Sequence, residues 1–557
     1  ASRKLVFRTT PAVQVSRQWD AFSTGGAVAA YRHEAGDAYN GACSQSVEFV
    51  SGTGTVGIAN AGLNRWGIAV RKGQTFEGRL YLRGSGDVVV ALQSADGTKE
   101  YASQRITGIG AAWKKFPFEL TAAAADGDAR FALYLDRPGR VQADQVTLMS
   151  TGEDRFRGLP MRNDIGQAMV DQGLTFLRYG GTMINIPGYR FKKMIGDRDK
   201  RPPYHGHWYR WSTNGFGIED FLQFCEKAGF TAAFAVNIEE TPQDMADMIE
   251  YLNGPVTSEW GRRRAENGHP EPYGVKYIGI GNEDLITDVF EERFTMIYLA
   301  IKEKYPEMIV VGTVGPFNEG TDYVEGWKLA DKLGVPMVDE HYYQSPGWFL
   351  HNQDFYDKYD RSKKTKVYLG EYATHISGRR ANMETALTEA LYLAALERNG
   401  DVVHMTSYAP LLAKDGRTQW NPDLIYFNNR EVRPTTGYYV QKLYGQHAGD
   451  HYIPSQVNLD NQDSRVKLRV GSSIVRDSKT GDVIVKLVNL LPVSIETDVR
   501  LPGMDGIQSS ATRTVLAGAP EATPLPVTDT IEAGTSFKQE LPAYSFTVIR
   551  LKTQKVK

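Results

Sequence analysis

Between about residues 156 and 435 the chain repeats one pattern: a short apolar, β-branched run, then a stretch whose apolar residues recur every three or four positions. This alternation constrains the fold more than any other feature. Runs buried on both faces and separated by amphipathic helices form a parallel sheet wrapped in helices. The strand candidates are Leu174 to Tyr179, Thr231 to Asn237, Val275 to Asn282, Met308 to Thr313, Val335 to His341, Lys366 to Tyr372 and Asp401 to Ser407. The helices between them place Ile218, Phe221, Leu222 and Cys225 on one face, Phe294, Ile297, Tyr298 and Ile301 on another, and run from Met383 to Leu396. Seven strands alternating with helices predict a (β/α)8 TIM barrel with one strand uncounted.

The flanks follow a different period. Thr75 to Leu82, Trp113 to Leu120 and Arg130 to Leu135 alternate apolar and polar residues, with Gly and Asp turn clusters between them. The same alternation returns in Asp482 to Asn489 and Tyr544 to Arg550. The chain therefore divides into a β-sandwich over 1–155, the catalytic barrel over 156–435 and a second β-sandwich over 436–557, a length too great for a single core.

A net charge of -2 supplies no field for nucleic acid or an anionic membrane surface, and no apolar run approaches the roughly 20 residues of a membrane span. Cys43 and Cys225 are the only cysteines, which excludes a Cys-based metal site and favours free thiols. The start at Ala1-Ser2-Arg3-Lys4, without an initiator Met, suggests a removed leader and favours a secreted or periplasmic location. Nothing in the pattern specifies an oligomeric state.

Two glutamates close strand-type runs: Glu283 after Tyr277-Ile278-Gly279-Ile280-Gly281-Asn282, and Glu371 after Lys366-Val367-Tyr368-Leu369-Gly370. Side chains at the C-terminal ends of barrel strands share one mouth, and paired carboxylates there cleave glycosidic bonds. We assign Glu283 as general acid/base and Glu371 as nucleophile of a retaining, two-step reaction. A structural ion pair is the alternative for either residue alone. Asn282 can hydrogen-bond the sugar hydroxyl beside the reacting carbon. His341 and Tyr343 share a strand face and reach the nucleophile or its sugar, and Arg178 orients a catalytic carboxylate or forms an ion pair beneath the site. Trp208, Tyr209 and Trp211 offer flat faces for sugar stacking, with loop packing as the alternative. His205-Gly206-His207 lacks a supporting carboxylate or Cys cluster, so no metal is assigned, and no cofactor is expected.

These residues resemble the glycoside hydrolase family 51 α-L-arabinofuranosidases, in the plant-type branch with an accessory carbohydrate-binding-like β domain. The resemblance rests on Gly281-Asn282-Glu283-Asp284, Gly370-Glu371-Tyr372-Ala373, His341-x-Tyr343, Ser407-Tyr408-Ala409-Pro410-Leu411 and Trp420-Asn421-Pro422-Asp423. Tyr39-Asn40-Gly41, Trp66-Gly67-Ile68 and Trp113-Lys114-Lys115 resemble the accessory domain, and Leu541 to Phe546 the family's final strand. The resemblance implies removal of terminal L-arabinofuranose from plant cell-wall polysaccharides such as arabinan or arabinoxylan, without a cofactor. It implies Glu283 and Glu371 as the catalytic pair and Asn282, His341, Tyr343 and Arg178 as site residues. The chain departs from the family in two places. The first barrel strand, with its substrate-binding Glu, has no counterpart before residue 20, and Gly180 to Asn185 replaces a Gly-Gly-Asn-type loop, with Asn185 the candidate substitute amide. An endo-acting glucanase or xylanase, or an inactive carbohydrate binder, are the alternative functions.

Overall fold

Two facing sheets form the N-terminal part of the computed structural model, which describes residues 8–10, 13–16 and 18–553; the chain start at Ala1-Ser2-Arg3-Lys4 lies outside the described residues. One sheet contains β1 (Val28–Ala35), β2 (Cys43–Ser51), β3 (Thr75–Ser85), β4 (Lys114–Thr121) and β5 (Gly139–Ser150), neighbouring in the order β1-β2-β5-β3-β4. Strict alternation decides which face is inside: along β4, Phe116, Phe118 and Leu120 are buried while Lys115, Pro117 and Glu119 are exposed. Phe118 stacks on Phe131 of the opposing sheet, ring centroids 5.6 Å apart, in a core made wholly from this domain.

Seven parallel strands follow: β6 (Phe176–Tyr179), β7 (Thr231–Val236), β8 (Tyr277–Ile280), β9 (Ile309–Thr313), β10 (Met337–Gln344), β11 (Lys366–Thr374) and β12 (Val403–Tyr408). Each pairs with the next in chain order, the arrangement of a TIM-type barrel. Among the described residues the count stops at seven, not eight, and the sheet stays open between β6 and β12. Val311, Met337 and Tyr368 fill the interior with Phe176, Tyr277 and Met405 against them.

Three expected strand limits are corrected. The run predicted to reach Asn282 ends at Ile280, because Gly281 adopts φ +81 and turns the chain. Conversely, Glu371 lies inside β11, which continues to Thr374, and β10 runs past His341 to Gln344.

Helix α1 (Ile218–Ala228) buries Ile218, Phe221, Leu222 and Cys225 and stops at Gly229 in the left-handed conformation. Helix α2 (Met383–Arg398), N-capped by Asn382, is buried from Thr385 to Leu396 on every side. It has no solvent face because a third domain covers it. That domain contains β13 (Val470–Arg476), β14 (Val483–Asn489) and β15 (Ser545–Thr553) within a six-stranded sheet, with a two-stranded ladder beside it. Every residue of β14 is buried. One face of this sheet, including Val475, Ile484, Val488 and Phe546, belongs to the same apolar cluster as the barrel. Phe546 stacks on Tyr444 of helix α3 (Thr436–Gln446) at 5.1 Å.

Candidate active site

The turn that presents Glu283 is built by four residues. Gly281 is required because a Cβ there would run into the Asp284 carboxylate. Asp284 Oδ2 in turn accepts the Asn282 N–H at 2.7 Å, and the Glu283 N–H donates to Thr313 Oγ1 at 3.1 Å. Glu283 itself adopts φ +52, uncommon for a residue with a side chain, so its carboxylate is aimed by a fixed turn and not by strand pleating. Asn185 donates its amide to the Asn282 carbonyl at 3.0 Å and to Asp284 Oδ1 at 3.2 Å. It therefore braces this turn.

Strand alternation in β10 separates two sets of groups. Glu340 points outward and accepts hydrogen bonds from Tyr323 at 2.9 Å, Trp327 Nε1 at 3.0 Å and Tyr356 at 2.8 Å, which anchors the strand to the surrounding helices. Asp339, His341 and Tyr343 point to the other side. His341 Nδ1 lies 2.9 Å from Glu283 Oε1 and 3.8 Å from Glu371 Oε2, and its Nε2 lies 3.1 Å from Asp339 Oδ1. The Tyr343 hydroxyl donates to Glu371 Oε2 at 2.6 Å.

Arg178, at the end of β6, completes the cluster. It donates to Glu371 Oε1 at 2.7 Å, to Asn282 Oδ1 at 2.6 Å and to Asp339 Oδ2 at 3.3 Å. Each Glu371 oxygen thus receives a hydrogen bond, one from a cation. The Asn282 amide nitrogen, by contrast, is buried with no hydrogen-bond partner among the described residues. Gly370 makes room for Asp339, whose carboxylate would clash with any Cβ at that position.

The charges follow from these contacts. Burial alone would drive a proton onto Glu371, but the charges of His341 and Arg178, and the hydrogen bonds from Tyr343 and Arg178, hold its pKa below the usual glutamate value. Burial likewise disfavours a charged His341, yet Asp339 and Glu371 outweigh it and push the ring up to about 10. At neutral pH the site therefore contains an anionic Glu371 beside a protonated His341. Glu283, His341 and Glu371 each offer a ligand atom within 4.8 Å of the others, a spacing that a metal could use. A protonated imidazole has no free lone pair for a metal and Arg178 adds a second cation, so this donor set does not fit one.

Arg178, Glu283, Tyr343 and Glu371 open into a cavity of about 1300 Å³, walled above by Trp208 and Trp420. Tyr343 stacks on His375 at 5.0 Å and meets the Trp420 ring at 5.0 Å, which fixes the hydroxyl that holds Glu371. The cavity also runs down between β6 and β12, lined by Phe176 and Leu177 on one side and Val403 and Met405 on the other. The open seam of the barrel is continuous with the mouth around Glu283 and Glu371.

A conserved-domain comparison matches residues 168–361 to the α-L-arabinofuranosidase 1 domain and residues 356–545 to the α-L-arabinofuranosidase C-terminal domain. The α-L-arabinofuranosidase 1 of Arabidopsis thaliana is 30% identical over 81% of this chain, which spans 68% of that protein. The chain belongs to the family 51 α-L-arabinofuranosidases. An extracellular exo-α-L-arabinofuranosidase of Streptomyces chartreusis is 34% identical over 72% of this chain, which spans about half (51%) of that longer relative. The arabinose-bound MgGH51 α-L-arabinofuranosidase superposes with a TM-score of 0.85 at 26% identity, over 98% of this chain and 93% of that one.

Within this family member, Glu283, Glu371, Asn282, His341, Tyr343 and Arg178 converge on one cluster. Asn185 stands behind it. Trp211 does not line the cavity; it is 47% exposed and sets its ring edge-on to His205 at 5.5 Å, while Trp208 of the same loop reaches the wall. Sequence reasoning assigned no role to Asp339, Asp284 or His375. Asp339 carried a signal: a carboxylate two positions before His341 in an apolar strand must share its face. His375 and Asp284 carried none, since their roles depend on a ring and a turn brought together by folding.

Proposed function

We propose that this chain is a retaining α-L-arabinofuranosidase that removes terminal arabinofuranosyl residues from arabinan- or arabinoxylan-type polysaccharides. The observation that carries this reading is the spacing of the two carboxylates, whose oxygens come within 4.8 Å of each other. A gap that narrow suits direct attack by a carboxylate, for which about 5 to 5.5 Å is typical, and leaves no room for the water of an inverting reaction.

Glu371, held anionic, attacks the anomeric carbon as Glu283 donates its proton to the departing glycosidic oxygen. An arabinosyl ester on Glu371 and a free alcohol result. Glu283, now a base, removes a proton from water, which attacks the same carbon and restores the Glu371 carboxylate. Arg178 and Tyr343 steady the nucleophile, and His341 occupies one oxygen of Glu283 so that the other faces the leaving group. The unpartnered Asn282 amide supports a hydrogen bond to the sugar hydroxyl next to the reacting carbon.

Hydrolysis of an aryl α-L-arabinofuranoside, set against unbranched xylan and glucan, tests the substrate. Activity confined to the unbranched polymers would point to endo action. Glu371→Ala should lower turnover by on the order of 10³-fold or more. Glu283→Ala should retain most activity on a good leaving group and lose it on a poor one; equal losses would remove Glu283 from the acid role.

A further inference from the structure

The loop that carries Trp208 has little regular structure of its own. Between β6 and α1 the chain runs from Gly180 to Gly217 with three single-turn 3-10 helices, Thr182–Asn185, Phe191–Lys193 and Arg198–Lys200, and one isolated strand-type pairing of Tyr204 with Ser212. Connections longer than about 15 residues without secondary structure are uncommon in compact domains, because ordering them costs conformational entropy. Ile184, Tyr189, Phe191 and Met194 anchor the first half in the barrel's apolar cluster. The tip, residues 205–213, contributes nothing to that cluster, yet its Trp208 walls the cavity above Glu371.

The tip is fixed at its base. Asn214 donates to the Pro202 carbonyl at 2.7 Å, and Arg201 donates to the carbonyls of Asn214 at 3.1 Å and Gly196 at 2.9 Å while pairing with Asp220 of α1. Residues 199–203 are therefore the platform on which the hairpin stands. The far side of that platform belongs to the N-terminal sandwich. Asp199 is only 2% exposed, and both its carboxylate oxygens are taken by that domain: Arg79 of β3 donates at 2.6 and 2.5 Å, Tyr81 donates at 3.2 Å, and Lys115 of β4 lies at 3.3 Å. Asn40 donates to the carbonyls of Asp199 at 2.8 Å and Arg201 at 2.9 Å. Gly41 is so close that a Cβ there would stand 3.3 Å from the Pro203 ring.

A buried carboxylate needs charged partners, and among the described residues the cations that pair with Asp199 both come from the other domain. The platform keeps its place only while the sandwich is seated. At the tip, Gln419 donates to the Trp208 carbonyl at 2.6 Å and the Trp420 ring meets the Trp208 indole edge-on at 6.4 Å. Trp208 is thus suspended between the platform and the Trp420 loop. A substrate with its terminal sugar at Glu371 leaves the cavity past these two rings, which offer apolar faces to the next sugar.

We propose that the N-terminal sandwich is a positioning domain for the Trp208 hairpin, and that Arg79 and Asn40 act through it on the binding of the sugar next to the terminal arabinose. The kinetic part of this role rests on the hydrolytic reading of the cavity.

Two measurements on the full chain test it. Amide hydrogen exchange over residues 204–212 should quicken about tenfold when Asn40→Ala and Arg79→Ala are combined, with α2 unchanged, whether or not the chain hydrolyses anything. In steady-state kinetics the same double variant should raise KM for arabinotriose about fivefold, the equivalent of about 1 kcal/mol, while kcat on aryl arabinofuranoside keeps its parental value. Arg79→Ala alone should give a smaller rise, and Arg79→Lys, which keeps a cation beside Asp199, should restore most of it. In a Trp208→Ala background the double substitution should leave KM where Trp208→Ala alone sets it. Unchanged exchange, unchanged KM, an undiminished KM rise in the Trp208→Ala background, or an equal fall in kcat on the aryl substrate would each overturn the proposal. A parent that hydrolyses neither substrate would defeat the hydrolytic reading instead, and exchange would still decide whether the sandwich holds the hairpin.

Discussion

The two β domains flank the same barrel but join it by opposite means. The N-terminal sandwich keeps its apolar core to itself and meets the barrel through polar contacts: Arg79 grips Asp199 with bonds of 2.6 and 2.5 Å, Asn40 donates to the carbonyls of Asp199 and Arg201, and Asn429 donates to those of Trp66, Gly67 and Gly127. The C-terminal sheet shares the barrel's apolar cluster and seals α2 from water. Even its charges are buried there, where Lys486 pairs with Glu397 and Ser473 donates to the same carboxylate at 2.5 Å. A polar junction leaves a domain with its own stability, whereas a shared core makes two domains one folding unit.

The largest effect expected from this contrast is a pH dependence confined to the dry side. Glu389 on α2 is fully buried, accepts the Thr374 N–H at 2.9 Å, and is pushed up to about 8 by burial. The folded chain keeps this proton to about pH 8, while an unfolded glutamate loses it near 4.5. The stability it contributes is therefore complete below about 4.5 and gone once the pH has risen through about 8. Urea titrations of Glu389→Gln should show a shallower loss from pH 5 to pH 8 than the parent, by on the order of 3 kcal/mol. Identical slopes would mean that α2 is wetter than its packing indicates.

Next in size is Glu397→Ala, which strands the Lys486 amine in an apolar junction. About 3 kcal/mol of global stability should be lost in denaturant unfolding, with the barrel and C-terminal domain still unfolding together. Separate transitions would break the single-unit picture.

The smallest effect is expected at the polar junction. Arg79→Ala leaves Asp199 with Lys115 at 3.3 Å, so about 1 kcal/mol should be lost, with aryl arabinofuranoside turnover unchanged. Calorimetry should show the N-terminal transition moving alone. A matching shift of the barrel would make the two junctions equivalent.

Much of this architecture was legible because burial on both faces writes a continuous apolar run into each barrel strand, as in Ile309 to Thr313 and Lys366 to Leu369. The proposed catalytic pair was legible because a carboxylate at the end of such a run needs a reason to be there. The position of Glu283 beyond its strand was less visible, since the turn depends on Asp284 and Thr313 reaching back to it. Tyr343 could be placed by pleat parity, but the His375 and Trp420 rings that pin it come from separate loops. The two β domains look alike in sequence because alternation reports one buried face and does not say which domain supplies the cover. The difference between their junctions was therefore invisible until Val475, Ile484 and Phe546 were seen against the barrel helices.

The left-handed backbone of Glu283 sets activity against durability. A side chain at φ +52 is disfavoured by roughly 1 kcal/mol relative to glycine, so the position of the proposed proton donor is also one where the polypeptide is under tension. A glycine there would relax the backbone and remove the carboxylate that the proposed reaction needs.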